Sequence, residues 1–103
     1  MLSERYIKII YKIIEHYGVE HQKKKVIEEL KELIEEVEKD LAGHYNEKDM
    51  TLEYSDVVNM LIQLAIMNGL SVEKIKGGIE YKLLRQEERM ENEIKRNIRR
   101  ISD

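Results

Sequence analysis

The sequence predicts an all-α fold, four helices forming one domain over residues 1–103 and completed by dimerisation. Three observations lead there. Charged residues make up 38% and hydrophobic residues 42% of the 103 residues, the balance of amphipathic helices, and proline, tryptophan and phenylalanine are absent. Apolar residues recur every three or four positions in four segments, whereas the alternation of a half-buried strand is missing. One segment is apolar on nearly every side, which so short a chain has difficulty covering by itself.

In the first segment Tyr6, Ile7, Ile10, Ile13, Ile14 and Tyr17 repeat at helical spacing, and Gly18 follows as a stop. In the second, Val26, Ile27, Leu30, Leu33, Ile34, Val37 and Leu41 form one stripe that Gly43 ends. The polar stretch from Gly43 to about Met50 reads as a loop. The third helix is predicted to begin near Thr51 and to end before Gly69. The fourth begins after Ser71, a good N-cap residue, and runs toward the C-terminus; Gly77 and Gly78 are predicted to loosen or bend it. No linker, low-complexity tract or internal repeat stands out.

The third helix differs from the others. Val57, Val58, Met60, Leu61, Ile62, Leu64, Ala65, Ile66 and Met67 leave few polar positions between them. A helix apolar all round is buried all round. The expectation is an obligate homodimer, or a tetramer of dimers, with this helix near the interface. Its exceptions, Glu53, Asp56, Asn59 and Gln63, form a narrow polar stripe.

Several function classes are disfavoured. Without cysteine there is neither a disulfide scaffold nor a thiolate zinc site. No stretch is long and apolar enough to span a membrane, and no signal-peptide pattern opens the chain, so a cytoplasmic protein is expected. A net charge of −3 argues against nonspecific nucleic-acid binding.

Two acid pairs carry the chemistry. Glu29 and Glu32 lie in the run Glu28-Glu29-Leu30-Lys31-Glu32, and Glu53 and Asp56 in Glu53-Tyr54-Ser55-Asp56. Residues three apart are neighbours on a helix face. If the two helices lie antiparallel, four carboxylates converge, and such a group repels itself unless a cation sits within it. An all-oxygen donor set suits Mg²⁺ or Mn²⁺ rather than zinc. Relative to the apolar stripe of the second helix, Glu29, Glu32, Glu36 and Lys25 share one flank, while Glu28 and Glu35 point to water. The competing explanation for this helix is a solvated acidic face paired with Lys31 and Lys39. Glu53 has a plain alternative too, as a first-turn acid favoured by the helix dipole. Asp56 is harder to dismiss: it is expected inside the helix beside Val57 and Val58, where an unpaired carboxylate is costly.

On the fourth helix Lys82, Arg85 and Arg89 share a face, with Arg96 two turns on. They read as a phosphate clamp, or as a solvated stripe paired with Glu80, Glu87, Glu88 and Glu93. His16, His21 and His44 are scattered and read as surface residues. Tyr45, Tyr54 and Tyr81 suit either base stacking or packing, and the basic run Lys95–Arg100 suits a helix end.

Glu28–Glu32 fits an EExxE motif and Glu53–Asp56 fits ExxD, with residues 33–52 between them. On these motifs the chain, over roughly Gln22 to Arg89, resembles the MazG-type nucleotide pyrophosphohydrolases of the all-α NTP pyrophosphatase superfamily, which also holds dimeric dUTPases, dCTP pyrophosphatases and phosphoribosyl-ATP pyrophosphohydrolase. The resemblance implies a four-helix MazG-like bundle completed by dimerisation. It implies Glu29, Glu32, Glu53 and Asp56 as Mg²⁺ ligands. Lys82 and Arg85 fall near the family's phosphate-contacting basic positions, and Arg89, Lys25 and Asn59 are further candidate substrate contacts. The implied reaction is attack of water on the α-phosphate of a nucleoside or deoxynucleoside triphosphate, with pyrophosphate leaving and Glu32 or Glu36 accepting the proton. Two other readings stay open: a non-catalytic helical dimer acting as an interaction or regulatory protein, and an inactive nucleotide-binding relative.

Overall fold

A computed structural model of the protein describes residues 2–102. Four helices account for almost all of them: α1 (Glu4–Tyr17), α2 (Val19–Leu41), α3 (Glu47–Asn68) and α4 (Val72–Ser102). Among the described residues there is no strand. The chain divides into two compact units, Met1–Gly69 with the first three helices and Leu70–Asp103 with the fourth.

Gly18 alone separates α1 from α2. Its φ of 90° is open to glycine and strained for other residues, and its N–H still reaches Ile14 O at 2.8 Å. Gly69 closes α3 in the left-handed region, with its N–H directed to Ala65 O and Ile66 O. α3 begins at Glu47, a turn earlier than the sequence predicts. The Asn46 side chain accepts the Asp49 N–H at 3.0 Å, and Glu47 and Asp49 suit the positive end of the dipole. Of the polar stretch read as a loop, residues 43–46 lie outside the helices as expected, and residues 47–50 are a capped first turn. α4 starts as expected, with Ser71 Oγ accepting the Lys74 N–H at 3.2 Å. It continues as helix through Gly77 and Gly78, so the pair does not interrupt it.

In the first unit α2 and α3 pack along each other and α1 rests on α2. The apolar core is small: Ile10, Val26, Val57 and Met60. The face that α2 buries carries Gln22, Val26, Glu29 and Glu36, with Leu33 half-buried. That face is offset from the apolar stripe, whose Ile27, Leu30, Ile34, Val37 and Leu41 remain exposed. α3 is likewise only partly covered: Val57 and Met60 are buried, Leu61 is 45% exposed, and Val58, Ile62 and Leu64–Met67 are half-buried. Between α1 and α3 an apolar groove of about 470 Å³ is lined by Tyr6, Ile9, Ile13, Tyr54, Val58 and Ile62 among others. Among the described residues no single helix is long and apolar enough to cross a membrane.

Candidate metal centre

The α2–α3 pairing brings Glu29 and Glu32 against Glu53 and Asp56. One carboxylate oxygen from each lies within 4.8 Å of all the others. Each helix contributes two acids one turn apart, so the pairing of two faces is enough to assemble the group.

The four acids are not equivalent. Glu29 is buried at 8% exposure, Glu53 is half-buried, and Glu32 and Asp56 are exposed. Glu29 Oε2 and Glu53 Oε2 are buried without a hydrogen-bond partner. A buried polar atom without a partner costs free energy, a charged one more than a neutral one. Two such atoms from opposite helices in one carboxylate group are what a hard cation would satisfy. The donor set, four carboxylates with two open to solvent, fits Mg²⁺ or Mn²⁺ with room for further oxygen ligands.

Two expectations about these residues change. Asp56 is exposed, and the cost of burial falls on Glu29 and Glu53 instead. The reason is rotational: Val57 and Met60 face α2, and Asp56 sits at the rim of that contact. Glu53 is also no first-turn acid, because α3 starts at Glu47 and the dipole acts within the first turn.

Lys25 borders the group. Its Nζ lies 3.3 Å from Glu29 Oε1 and 3.2 Å from Glu28 Oε2. Hydrogen bonds to Glu28 and Glu29 raise the lysine pKa above its ordinary value. Lys25 is thus a fixed cation through the neutral range, and its pairing is lost only as pH rises through that elevated value. Glu36 is buried but lies outside the four-acid group, and Lys39 Nζ sits 3.7 Å from its Oε2. Asn59, exposed at the next turn after Asp56, accepts a hydrogen bond from Gln63 Nε2 at 3.2 Å. Lys82, Arg85 and Arg89 are exposed on α4, in the second unit, and Lys82 and Arg85 lie over the Tyr81 ring. Among the described residues no ion pair holds Lys82, Arg85, Arg89 or Arg96, so the expected pairing with glutamates of the same helix is not formed.

The sequence reading missed Gln22. Its Nε2 donates to Gln63 Oε1 at 2.8 Å, joining α2 to α3, and its Oε1 lies 2.7 Å from His21 Nδ1. Gln22 and Gln63 are 4% and 1% exposed, so this amide pair is the buried polar joint of the contact that also aligns the acids. Spacing holds the signal: Gln22, Val26, Glu29, Leu33 and Glu36 alternate at four and three residues along α2. Gln63→Ala leaves the Gln22 donor buried and unpaired. We expect a loss of about 1–3 kcal/mol in denaturant unfolding from that donor alone. A Gln63→Ala protein as stable as the parent would show that the pair contributes nothing.

No family model matches the chain, and neither a curated protein nor a solved structure matches it.

Proposed function

We propose that the protein is a Mg²⁺-dependent nucleoside triphosphate pyrophosphohydrolase of the MazG type, a helical bundle completed by a second copy. It releases a nucleoside monophosphate and pyrophosphate. One observation carries the assignment: four carboxylates from two helices meet within 4.8 Å, and two of their oxygens are buried without partners. Glu29, Glu32, Glu53 and Asp56 are the residues that would hold Mg²⁺ or Mn²⁺. Bound there, the ion supplies charge neutralisation and polarisation of phosphate oxygens and water.

The chain's own residues supply the rest. Glu32 is the better general base of the two candidates, because it is exposed within the group while Glu36 is buried and paired with Lys39. Lys25 holds Glu29 in place and offsets part of the negative charge. Lys82, Arg85 and Arg89 offer phosphate oxygens a point charge and bidentate donors.

A panel of nucleoside and deoxynucleoside triphosphates, with Mg²⁺ and pyrophosphate detection, tests the assignment. Metal-dependent release from at least one of them is expected. Metal binding without release points to an inactive nucleotide binder. Neither binding nor release points to a non-catalytic helical dimer that serves as an interaction or regulatory protein.

The uncovered apolar faces of α2 and α3 support completion by a second copy. Leu61 offers a clean test, because it is 45% exposed in the single chain. Leu61→Lys then costs one chain little, within about 0.5 kcal/mol. A charge buried against a partner costs several kcal/mol. Sedimentation is expected to show the parent as dimer or tetramer and Leu61→Lys as a smaller species. A parent that sediments as a folded monomer at micromolar concentration overturns this.

A further inference from the structure

α4 has no buried residue along its 31 positions, yet it carries an ordered apolar stripe. Val72, Ile75, Ile79, Leu83, Gln86, Met90, Ile94, Asn97 and Ile101 are spaced three, four and four residues apart, and that cycle repeats every eleven residues. An eleven-residue period averages 3.67 residues per turn, which keeps a stripe on one side of a straight or slightly right-handed helix pair. The apolar members are all exposed, Ile75 least at 40% and Ile101 most at 87%. So long an amphipathic face, with two glycines weakening the helix behind it, wants a partner.

The edges of the stripe name the partner. At 100° per residue, Glu73, Glu80, Glu87 and Glu91 follow one edge, and Lys82, Arg85, Arg89, Arg96 and Arg100 follow the other. Lys76, Lys95 and Glu93 are the exceptions, and Lys76 is drawn to Glu80 of its own helix at 4.0 Å. In a parallel pair of identical helices, the two-fold axis sets the acidic edge of each against the basic edge of the other. In an antiparallel pair, like edges meet and repel. Opposite charges along the flanks of a coiled-coil seam select partner and orientation, and single polar residues inside it fix register.

We propose that α4 pairs in parallel with α4 of a second copy of this chain. Glu80, Glu87 and Glu91 of one copy lie against Lys82, Arg89 and Arg96 of the other, and Gln86 and Asn97 set the register. The pairing engages Lys82 and Arg89, which the proposed function also gives to phosphate oxygens; the linkage test below reads the pairing alone, whatever the activity.

The absence of cysteine makes the test direct. Full-length Ile79→Cys and Met90→Cys proteins are oxidised with oxidised glutathione, with Asn92→Cys on the back of the helix as control. In a parallel pair in register, each seam position meets its own counterpart. Disulfide-linked dimers are therefore expected from Ile79→Cys and Met90→Cys, at least about tenfold faster than from Asn92→Cys. Adding Glu80→Lys, Glu87→Lys and Glu91→Lys to Met90→Cys should slow linkage by a similar factor. Mixing that protein with one carrying Met90→Cys, Lys82→Glu, Arg89→Glu and Arg96→Glu should restore it. Linkage no faster than in the Asn92→Cys control overturns the pairing. Preferential linkage of Ile79→Cys to Ile94→Cys, rather than of each to itself, overturns the parallel arrangement.

Discussion

Glu29→Gln is expected to abolish pyrophosphate release almost completely, while Glu28→Gln leaves most of it. The two glutamates are adjacent in sequence and about 100° apart around α2. The Glu28 side chain is 62% exposed and spends its charge on Lys25 at 3.2 Å. The Glu29 side chain is 10% exposed, its Oε2 is buried without a partner, and its carboxylate groups with those of Glu32, Glu53 and Asp56. Glutamine keeps the shape and the hydrogen-bonding capacity at either position, so the difference isolates the charge. Losing a partner just outside a metal's ligands costs about 10–100-fold, and losing a ligand's charge should exceed that. The measurement is steady-state pyrophosphate release by both variants, with folding checked by circular dichroism. Equal losses would show that the wrong face of α2 has been assigned to the chemistry. Full activity in both would remove α2 from it.

That contrast is legible in the sequence, because helical rotation is a property of the sequence. The apolar stripe of α2 gave the phase, and the phase separated Glu29 from Glu28. The same logic misjudged depth. It places Glu29 on a flank of the apolar stripe, whereas Gln22, Val26, Glu29 and Glu36 are the face that α2 buries. A stripe tells which side of a helix wants cover. It does not tell which neighbour covers it, and here the apolar centre of α2 stays exposed while its polar flank is packed. α3 starts earlier than polarity alone predicts, for a local reason. Glu47, Lys48 and Asp49 look like loop by polarity, but with Asn46 as cap they form a favourable first turn. That shift removed the dipole explanation for Glu53. The eleven-residue period of α4 was present in the sequence and hidden by Gln86 and Asn97, which break the apolar run at two of its nine positions. Polar residues inside a seam look like the end of a pattern until the full length of the helix is known.

Mg²⁺ is expected to raise the melting temperature, and Asp56→Ala to remove most of the rise. In the metal-free protein four carboxylates stand within 4.8 Å of one another, and only Lys25, through Glu29, brings an opposite charge by an ion pair among the described residues. Folding forces that proximity, because the α2–α3 contact that buries Val26, Val57 and Met60 also aligns the acids. A ligand that binds the folded chain and not the unfolded one stabilises it by mass action, about 2.7 kcal/mol at a hundred times Kd. For a domain of this size that corresponds to roughly 10–20 °C. Asp56 is the informative substitution because it is exposed, so alanine there opens no cavity. It removes one ligand and one like charge together. The Mg²⁺-dependent shift should therefore shrink while the metal-free melting temperature holds or rises. Differential scanning calorimetry at constant ionic strength, with sodium replacing magnesium in the control, separates site binding from screening. If neither Mg²⁺ nor Mn²⁺ at millimolar concentration moves the melting temperature of the parent protein, the two buried oxygens are not ligands in waiting, and the metal centre falls.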